Sequence, residues 1–382
     1  MDNLQNNNKP PSLLQQSSIF LLPSELLCEI FSLVAIRGPS QLSHALFVCK
    51  HWYNIIVDDQ KLWSTIILDR DFMDRLYHSS AYFNKADAYI RACLDRSAPF
   101  PLDVTLDNFC ERIDESVSEK KPYRSVLNRL FKSGEPRHIQ RCRSLSWYIQ
   151  NSLYEIPLIS SLLPLSLERL EYLSVRDFSI ESDLFKHFPR CPRLKEVQLV
   201  DHFEGTSPHY FLAHDYTHVE KLTFASDSGW IDHDIPYIEN FRGIHTLVLE
   251  GVTLTYSFVE KVENTSIVNL HSLKTLKLFG SIPLNIMRRI NAPLLNRVDI
   301  ATVAVQGSHS LDIVPLELLQ SVTIMSISIH PSRSSTPFHP RHLQRVICGA
   351  PSLTCLTGTS AIGELLAGEE WFGERNIVYN CI

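Results

Sequence analysis

Sixteen histidines are the first residues in this 382-residue sequence whose number and spacing could serve chemistry. The densest group is His202, His209, His214 and His218, with Asp201 and Asp215 beside them. His214 and His218 stand at an interval that lets two imidazoles share a metal on one helix face. No glutamate stands in H-E-x-x-H register with them, and the group falls in a stretch that reads as loop and short helix. Surface histidines are the better reading, and no metal is expected. Asp232-His233-Asp234 has the makings of a general base, but no nucleophile lies within reach on sequence grounds. There is no G-x-S-x-G elbow, no Walker loop and no G-x-G-x-x-G; Gly358 to Gly363 is only superficially similar to the last. With 13 glycines in the chain, few loops can wrap a phosphate closely. The nine cysteines (28, 49, 93, 110, 142, 191, 348, 355 and 381) contain no C-x-x-C pair, so neither a zinc ribbon nor a disulfide framework is indicated. Most sit among apolar neighbours and read as small core residues of an intracellular protein, cytoplasmic or nuclear, in a reducing compartment. The expectation is a chain that is no enzyme and takes no cofactor.

Charge and hydropathy narrow the partners. A formal charge of −6 and a pI near 6.2 argue against a nucleic-acid binder, which would usually be basic. No apolar run reaches the ~20 uncharged residues of a membrane span, and no secretory signal is visible. The Asn264-Thr265-Ser266 sequon therefore carries no meaning.

The stretch that organises the chain is Ser18 to Ile66, which reads as three short helices. Leu22-Pro23-Ser24-Glu25 looks like a helix start, with Pro pre-set for the first turn and a carboxylate at the positive end of the dipole. Leu26, Leu27, Ile30, Phe31, Leu33 and Val34 follow at helical spacing and cover more than one face. A second helix is expected from Ser40, a third from about Cys49 through Trp52, Ile55 and Ile56, and Leu62-Trp63 closes the unit. So small a module cannot bury that many large side chains internally. Part of its apolar surface must face a partner.

These residues resemble an F-box, the module that docks on the Skp-family adaptor of cullin–RING ubiquitin ligases. The family's L-P-x-E opening, I-F pair, V-C-[KR]-x-W core and closing L-W are matched by Leu22, Pro23, Glu25, Ile30, Phe31, Val48, Cys49, Lys50, Trp52, Leu62 and Trp63. One departure is Arg37-Gly38-Pro39, where the family usually has an acidic turn. The resemblance implies that Leu22, Pro23, Leu26, Ile30, Phe31, Val48, Cys49 and Trp52 hold the adaptor.

The rest divides into a disordered polar lead (1–17), the F-box (18–68), a helical linker with a first strand and a basic segment (69–141), and a repeat region (142–382). Within the linker, Ser79 to Arg96 reads as an amphipathic helix and Leu102, Val104 and Leu106 as a strand. The charged run from Glu111 to Arg143 could be an import or phosphate-contact patch, though a solvated helix face is the better reading. From Cys142 a unit of the form apolar-x-x-apolar-x-apolar recurs. Its first positions are 142, 170, 194, 219, 244, 273, 295 and 319, about 25 residues apart, with a degenerate ninth copy at Leu353/Leu356. That period belongs to leucine-rich repeats, although the strict asparagine of well-formed ones is missing. The last two apolar positions of each unit share one face of a short strand, and some twenty residues return to the next strand. The fold class expected is α/β: three helices, then an irregular leucine-rich-repeat solenoid with a curved parallel sheet. Large F-box proteins with irregular repeats resemble this arrangement.

On that architecture the residues between the paired apolars line the concave face: Ser146, Ser174, Gln198, Thr223, Val248, Lys277, Asp299 and Thr323. Small and mostly polar, they suit a shallow protein or peptide surface better than a deep small-molecule pocket. Trp147 reads as repeat core, and Trp230 and Trp371 as cap packing or partner anchors. The resemblance then implies a substrate receptor: the F-box docks the adaptor, the repeats capture an unidentified target, and proximity does the rest. The alternatives are an adaptor-bound scaffold without ubiquitin transfer, and a ligand-binding or enzymatic role for the His/Asp loops.

Overall fold

The computed structural model describes residues 22–35, 41–69, 71–72, 75, 80–106, 121–132, 138–148, 166–176, 189–201, 216–226, 238, 241–251, 267–280, 287, 289–303, 316–330, 340–367, 369–373 and 375–381. The expected polar lead, His202, His209, His214, Asp215, the 232–234 triplet, Trp230 and the return segments of most repeats lie outside them, as does the side chain of Trp371.

Three helices open the chain: α1 (Ser24–Ala35), α2 (Leu42–Leu46) and α3 (Lys50–Asp58). A 3-10 turn, Gln60–Trp63, runs straight into β1 (Thr65–Leu68). Helix α4 (Ser80–Arg96) leads to β2 (Leu102–Leu106), and α5 (Lys121–Lys132) to β3 (Cys142–Tyr148). Then come β4 (Tyr172–Arg176), β5 (Glu196–Asp201), β6 (Lys221–Ser226), β7 (Thr246–Gly251), the short β8 (Val268–Asn269), β9 (Thr275–Gly280), the short β10 (Ile290–Asn291), β11 (Arg297–Val303) and β12 (Ile324–His330). Helix α6 (Pro340–Cys348), β13 (Cys355–Gly358), helix α7 (Ser360–Ala367) and β14 (Val378–Cys381) end the described chain. All strands except β8 and β10, which pair with each other, form one parallel sheet of 12 in sequence order. This is the leucine-rich-repeat-like solenoid anticipated from the period. It begins earlier than the repeat count placed it, because β1 and β2 already belong to the sheet.

The repeat is longer than the pattern first read from it. Each copy places one further apolar residue three positions upstream, giving apolar-x-x-apolar-x-x-apolar-x-apolar. In the copy at β5 these are Cys191, Leu194, Val197 and Leu199, and in the copy at β9 Leu270, Leu273, Leu276 and Leu278; none is more than 4% exposed. The N–H of the second apolar residue donates back to the carbonyl of the first at 3.0–3.2 Å in the eight copies from Leu167 to Ala350, a tight turn that aims the chain into the strand. Successive copies are then bridged by backbone. The N–H groups of Lys195 and Glu196 both donate to the Glu171 carbonyl, those of Glu220 and Lys221 to Lys195, and so on to Thr354 and Cys355 on Thr323, at 2.8–3.1 Å. This bridging needs no particular side chain, which is why copies lacking a fixed asparagine still stack. A side-chain rung of that kind joins β8 to β10, where Asn291 Nδ2 donates to Asn269 Oδ1 at 2.8 Å.

The pairing of β12 with β11 corrects the eighth copy. Leu319/Val322/Ile324 was expected as turn and strand, but Val298 pairs with Met325 and Ile300 with Ile327. Leu319 is the extra upstream residue, Val322, Met325 and Ile327 are fully buried, and Ile324 is 37% exposed.

The core is continuous from Leu27 in α1 to Leu366 in α7. Basic residues of the charged segment stitch its first layers. Arg129 and Arg91 both hold Asp87, tying α5 to α4. Burial resists ionisation of that carboxyl, but the two guanidinium groups outweigh it and keep its proton affinity below that of an ordinary aspartate. This link therefore holds at neutral pH and is lost only as pH falls through the lowered value. Arg141 donates to the carbonyls of Leu94 (2.9 Å) and Phe100 (3.1 Å), and Arg143 pairs with Asp103. At the far end Arg375 donates to Ile347 and Ala350, closing the C-terminus of α6. Among the described residues Cys93, Cys142 and Cys191 are buried, and burial pushes the Cys93 and Cys191 thiols up to about 12; Cys348 and Cys381 are exposed, against the expectation that most cysteines are core.

Neighbouring copies approach closely at Gly251 and Gly280, which face each other in register. Gly280 has φ +78°, and a Cβ there would lie 1.8 Å from the Gly251 carbonyl oxygen. Gly280→Ala is expected to cost at least ~1 kcal/mol in urea unfolding. An unchanged midpoint would show that the backbone there can move aside.

Candidate interaction surfaces

Helical phase divides the side chains of α1 between two environments. Leu27, Phe31 and Ala35, four apart, point inward and are at most 5% exposed. Leu26, Ile30 and Leu33 lie outside that stripe, 46%, 40% and 67% exposed. The Phe31 ring meets Trp52 of α3 edge-on, 5.1 Å between centroids. Cys49 caps α3 by accepting the Trp52 backbone N–H on its sulfur at 3.5 Å. Trp63 is anchored by its indole N–H on the Ile56 carbonyl at 2.8 Å and covered by the Arg96 guanidinium of α4, 4.5 Å above the ring. The three helices are thus pinned to one another and to the first layer of the sheet.

What these contacts leave outside includes several large apolar side chains among polar ones. Phe47, Val48 and Tyr53 are exposed, Phe47 most of all, and with Leu26, Ile30 and Leu33 they come from α1, α3 and the turn between α2 and α3. Six large apolar side chains exposed within some thirty residues of sequence are unusual for a free surface. Of the eight residues expected to dock a partner, Pro23, Leu26, Ile30 and Val48 are exposed, while Leu22, Cys49 and Trp52 are half-buried. Phe31 needs correction: it is 1% exposed and offers no surface, because its place in the helix turns it onto Trp52. Leu33, Phe47 and Tyr53 were not anticipated. Phe47 was legible as a large apolar residue at the close of α2, with Val48 directly after it.

The second surface is the sheet face opposite the core. Ser146, Ser174, Gln198, Thr223, Val248, Lys277 and Asp299 stand in one register row. Thr323 does not: the shifted eighth copy puts Ser326 beside Asp299, and Thr323 lies in the bridge before β12. The row is more closed than expected, with Ser174, Thr223, Val248 and Asp299 all below 9% exposure. Hydrogen bonds account for part of this. Tyr172 Oη donates to Gln198 Oε1 at 2.8 Å and Ser174 Oγ to the same oxygen at 3.3 Å, so the longer side chains lie over the short one. Arg297 and Lys277 flank Asp299 in the same way.

The histidine group yields no site among the described residues. His218 places Nε2 2.8 Å from the Cys191 carbonyl oxygen, and no trio of His, Cys, Asp or Glu there is arranged for a metal. Among the described residues no helix is long and apolar enough to cross a membrane.

A family model described as F-box-like matches residues 19–69, so the three-helix module is an F-box-like domain. No curated protein matches the chain. Among solved structures, one titled "Crystal structure of TLR13-ssRNA13 complex" matches at 14% identity with a TM-score of 0.28. The match covers 58% of this chain and 36% of that one, so this chain spans little more than a third of its length. Likeness of that degree fixes neither fold nor function.

Proposed function

We propose that this chain is the substrate-recognition subunit of a Skp–cullin–F-box ubiquitin ligase. The F-box-like domain docks the Skp-type adaptor, and through it the cullin–RING ligase, while the outer face of the sheet captures a target protein. The observation that carries this reading is the set of large apolar side chains left exposed on the module: Leu26, Ile30, Leu33, Phe47, Val48 and Tyr53. Such a patch, fed by helices held rigidly by Trp52 and Trp63, matches what a helix-in-groove partner covers. No bond has to be made or broken by this chain. Its task is to raise the local concentration of the target beside the ubiquitin-charged enzyme.

The test is affinity purification of the intact chain from cells with the proteasome blocked, beside a Gln198→Lys/Arg176→Glu variant altered only on the outer face. The intact chain is expected to bring down a Skp-type adaptor, a cullin and ubiquitin-bearing target. The variant should keep the first two and lose the third. Recovery of adaptor without cullin would overturn the ligase role, and target recovery unchanged by the variant would overturn the face assignment.

A further inference from the structure

On the outer face, where β9 and β11 lie side by side, one carboxylate sits between two cations. Asp299 pairs in register with Lys277, and Arg297 stands two residues before it on the same face of β11. The Asp299 side chain is only 11% exposed, whereas Lys277 is 36% and Arg297 45% exposed. Arg297 spends its Nε on this anion, at 3.0 Å from Oδ1 and 3.1 Å from Oδ2. Lys277 Nζ stands 3.8 Å from Oδ2, too far for a hydrogen bond. Neither cation has another partner among the described residues, so the Nη groups of Arg297 and the ammonium of Lys277 are held in place with donors to spare. Thr275 beside Arg297 and Ser326 beside Asp299 flank them across the ladder. The local charge is +1, one anion against two cations.

We propose that Lys277 and Arg297, oriented by the buried Asp299, form a clamp for a single carboxylate of the captured protein, an Asp or Glu side chain in an exposed segment. A guanidinium edge takes a carboxylate through two parallel hydrogen bonds, and the ammonium supplies a third donor from the neighbouring strand. Asp299 sets both the geometry and the charge of the ligand. A monoanion neutralises the clamp, while a dianionic phosphate would place surplus negative charge against a shielded carboxylate. This inference rests on the outer face being the capturing surface.

The test uses the full chain in complex with its adaptor and three fluorescent nonapeptides of Gly and Ser, whose central residue is Glu, phosphoserine or Gln. The Glu peptide is expected to bind at least tenfold tighter than the Gln peptide, and tighter than the phosphoserine peptide. Lys277→Gln and Arg297→Gln should each weaken Glu-peptide binding about tenfold, the size of one charge-assisted hydrogen bond. Asp299→Asn is the decisive variant. It makes the site more positive, so a simple cationic patch would bind more tightly, whereas a clamp that has lost its anchor binds more weakly. Tighter binding by Asp299→Asn, preference for phosphoserine, or equal binding of the Glu and Gln peptides would each overturn the carboxylate clamp. The capturing role of the face is judged separately by Gln198→Lys/Arg176→Glu, which lies outside the clamp.

Discussion

Met325→Asp is expected to unfold the C-terminal layers of the sheet, while Ile324→Asp, one residue away, leaves the protein folded. Met325 is 0% exposed and pairs with Val298 in the core row, so aspartate there creates a cavity and strands a charge without a partner. Each fault alone costs several kcal/mol, and together they exceed ~4 kcal/mol, comparable to the whole stability of many domains. Ile324 lies on the opposite face, 37% exposed, beside Arg297 of β11. Aspartate there loses some strand propensity and gains a neighbouring cation, for a net change of about 1 kcal/mol or less. Far-UV circular dichroism and urea midpoints of the two variants decide the matter. Equal destabilisation would mean that the strand carries no fixed register, and the reverse order would restore Leu319/Val322/Ile324 as the repeat.

That pair of residues also shows where pattern reading stops. The period near 25 and the alternation within each unit were enough to place β3 to β7, β9 and β11, because an inward apolar residue every second position leaves few ways to stack. At the eighth copy two overlapping registers satisfy the same short motif. The upstream turn residue does not break the tie, because Leu316 stands three before Leu319 just as Leu319 stands three before Val322; only the pairing of Val298 with Met325 does. Lys277 and Asp299 were legible as neighbours in one row of the outer face, but not the shielding of the carboxylate, to which Arg297 of the same strand contributes through its Nε. The ends of the sheet were hidden for another reason. Strand β1 offers only Ile66 and Leu68 as inward residues and sits within the F-box match, and Val378–Cys381 carries no apolar alternation at all. These strands form because a neighbouring edge is already present, not because their own sequences demand it.

The same limit applies to the F-box-like domain, and there it leads to the second large effect. Ile30 and Phe31 are adjacent, both apolar and both expected to dock, yet one is 40% exposed and the other 1%. Ile30→Asp should therefore abolish adaptor binding with the fold intact. A charge in the centre of an apolar interface must be buried without a partner on docking, a loss on the order of 3 kcal/mol or more, equivalent to over a hundredfold in affinity. Phe31→Ala should do the opposite. Removing the ring from its edge-on contact with Trp52 costs about 3–5 kcal/mol of stability, but below the lowered melting point the surface formed by Leu26, Ile30 and Val48 persists and the adaptor still binds. Thermal melts of each variant, paired with adaptor titrations at 10 °C, separate the two effects. Should Phe31→Ala remain folded and lose the adaptor while Ile30→Asp retains it, the partner would have to reach the module from its buried side. That would require the helices to open on Trp52, and the exposed patch would then belong to some other contact.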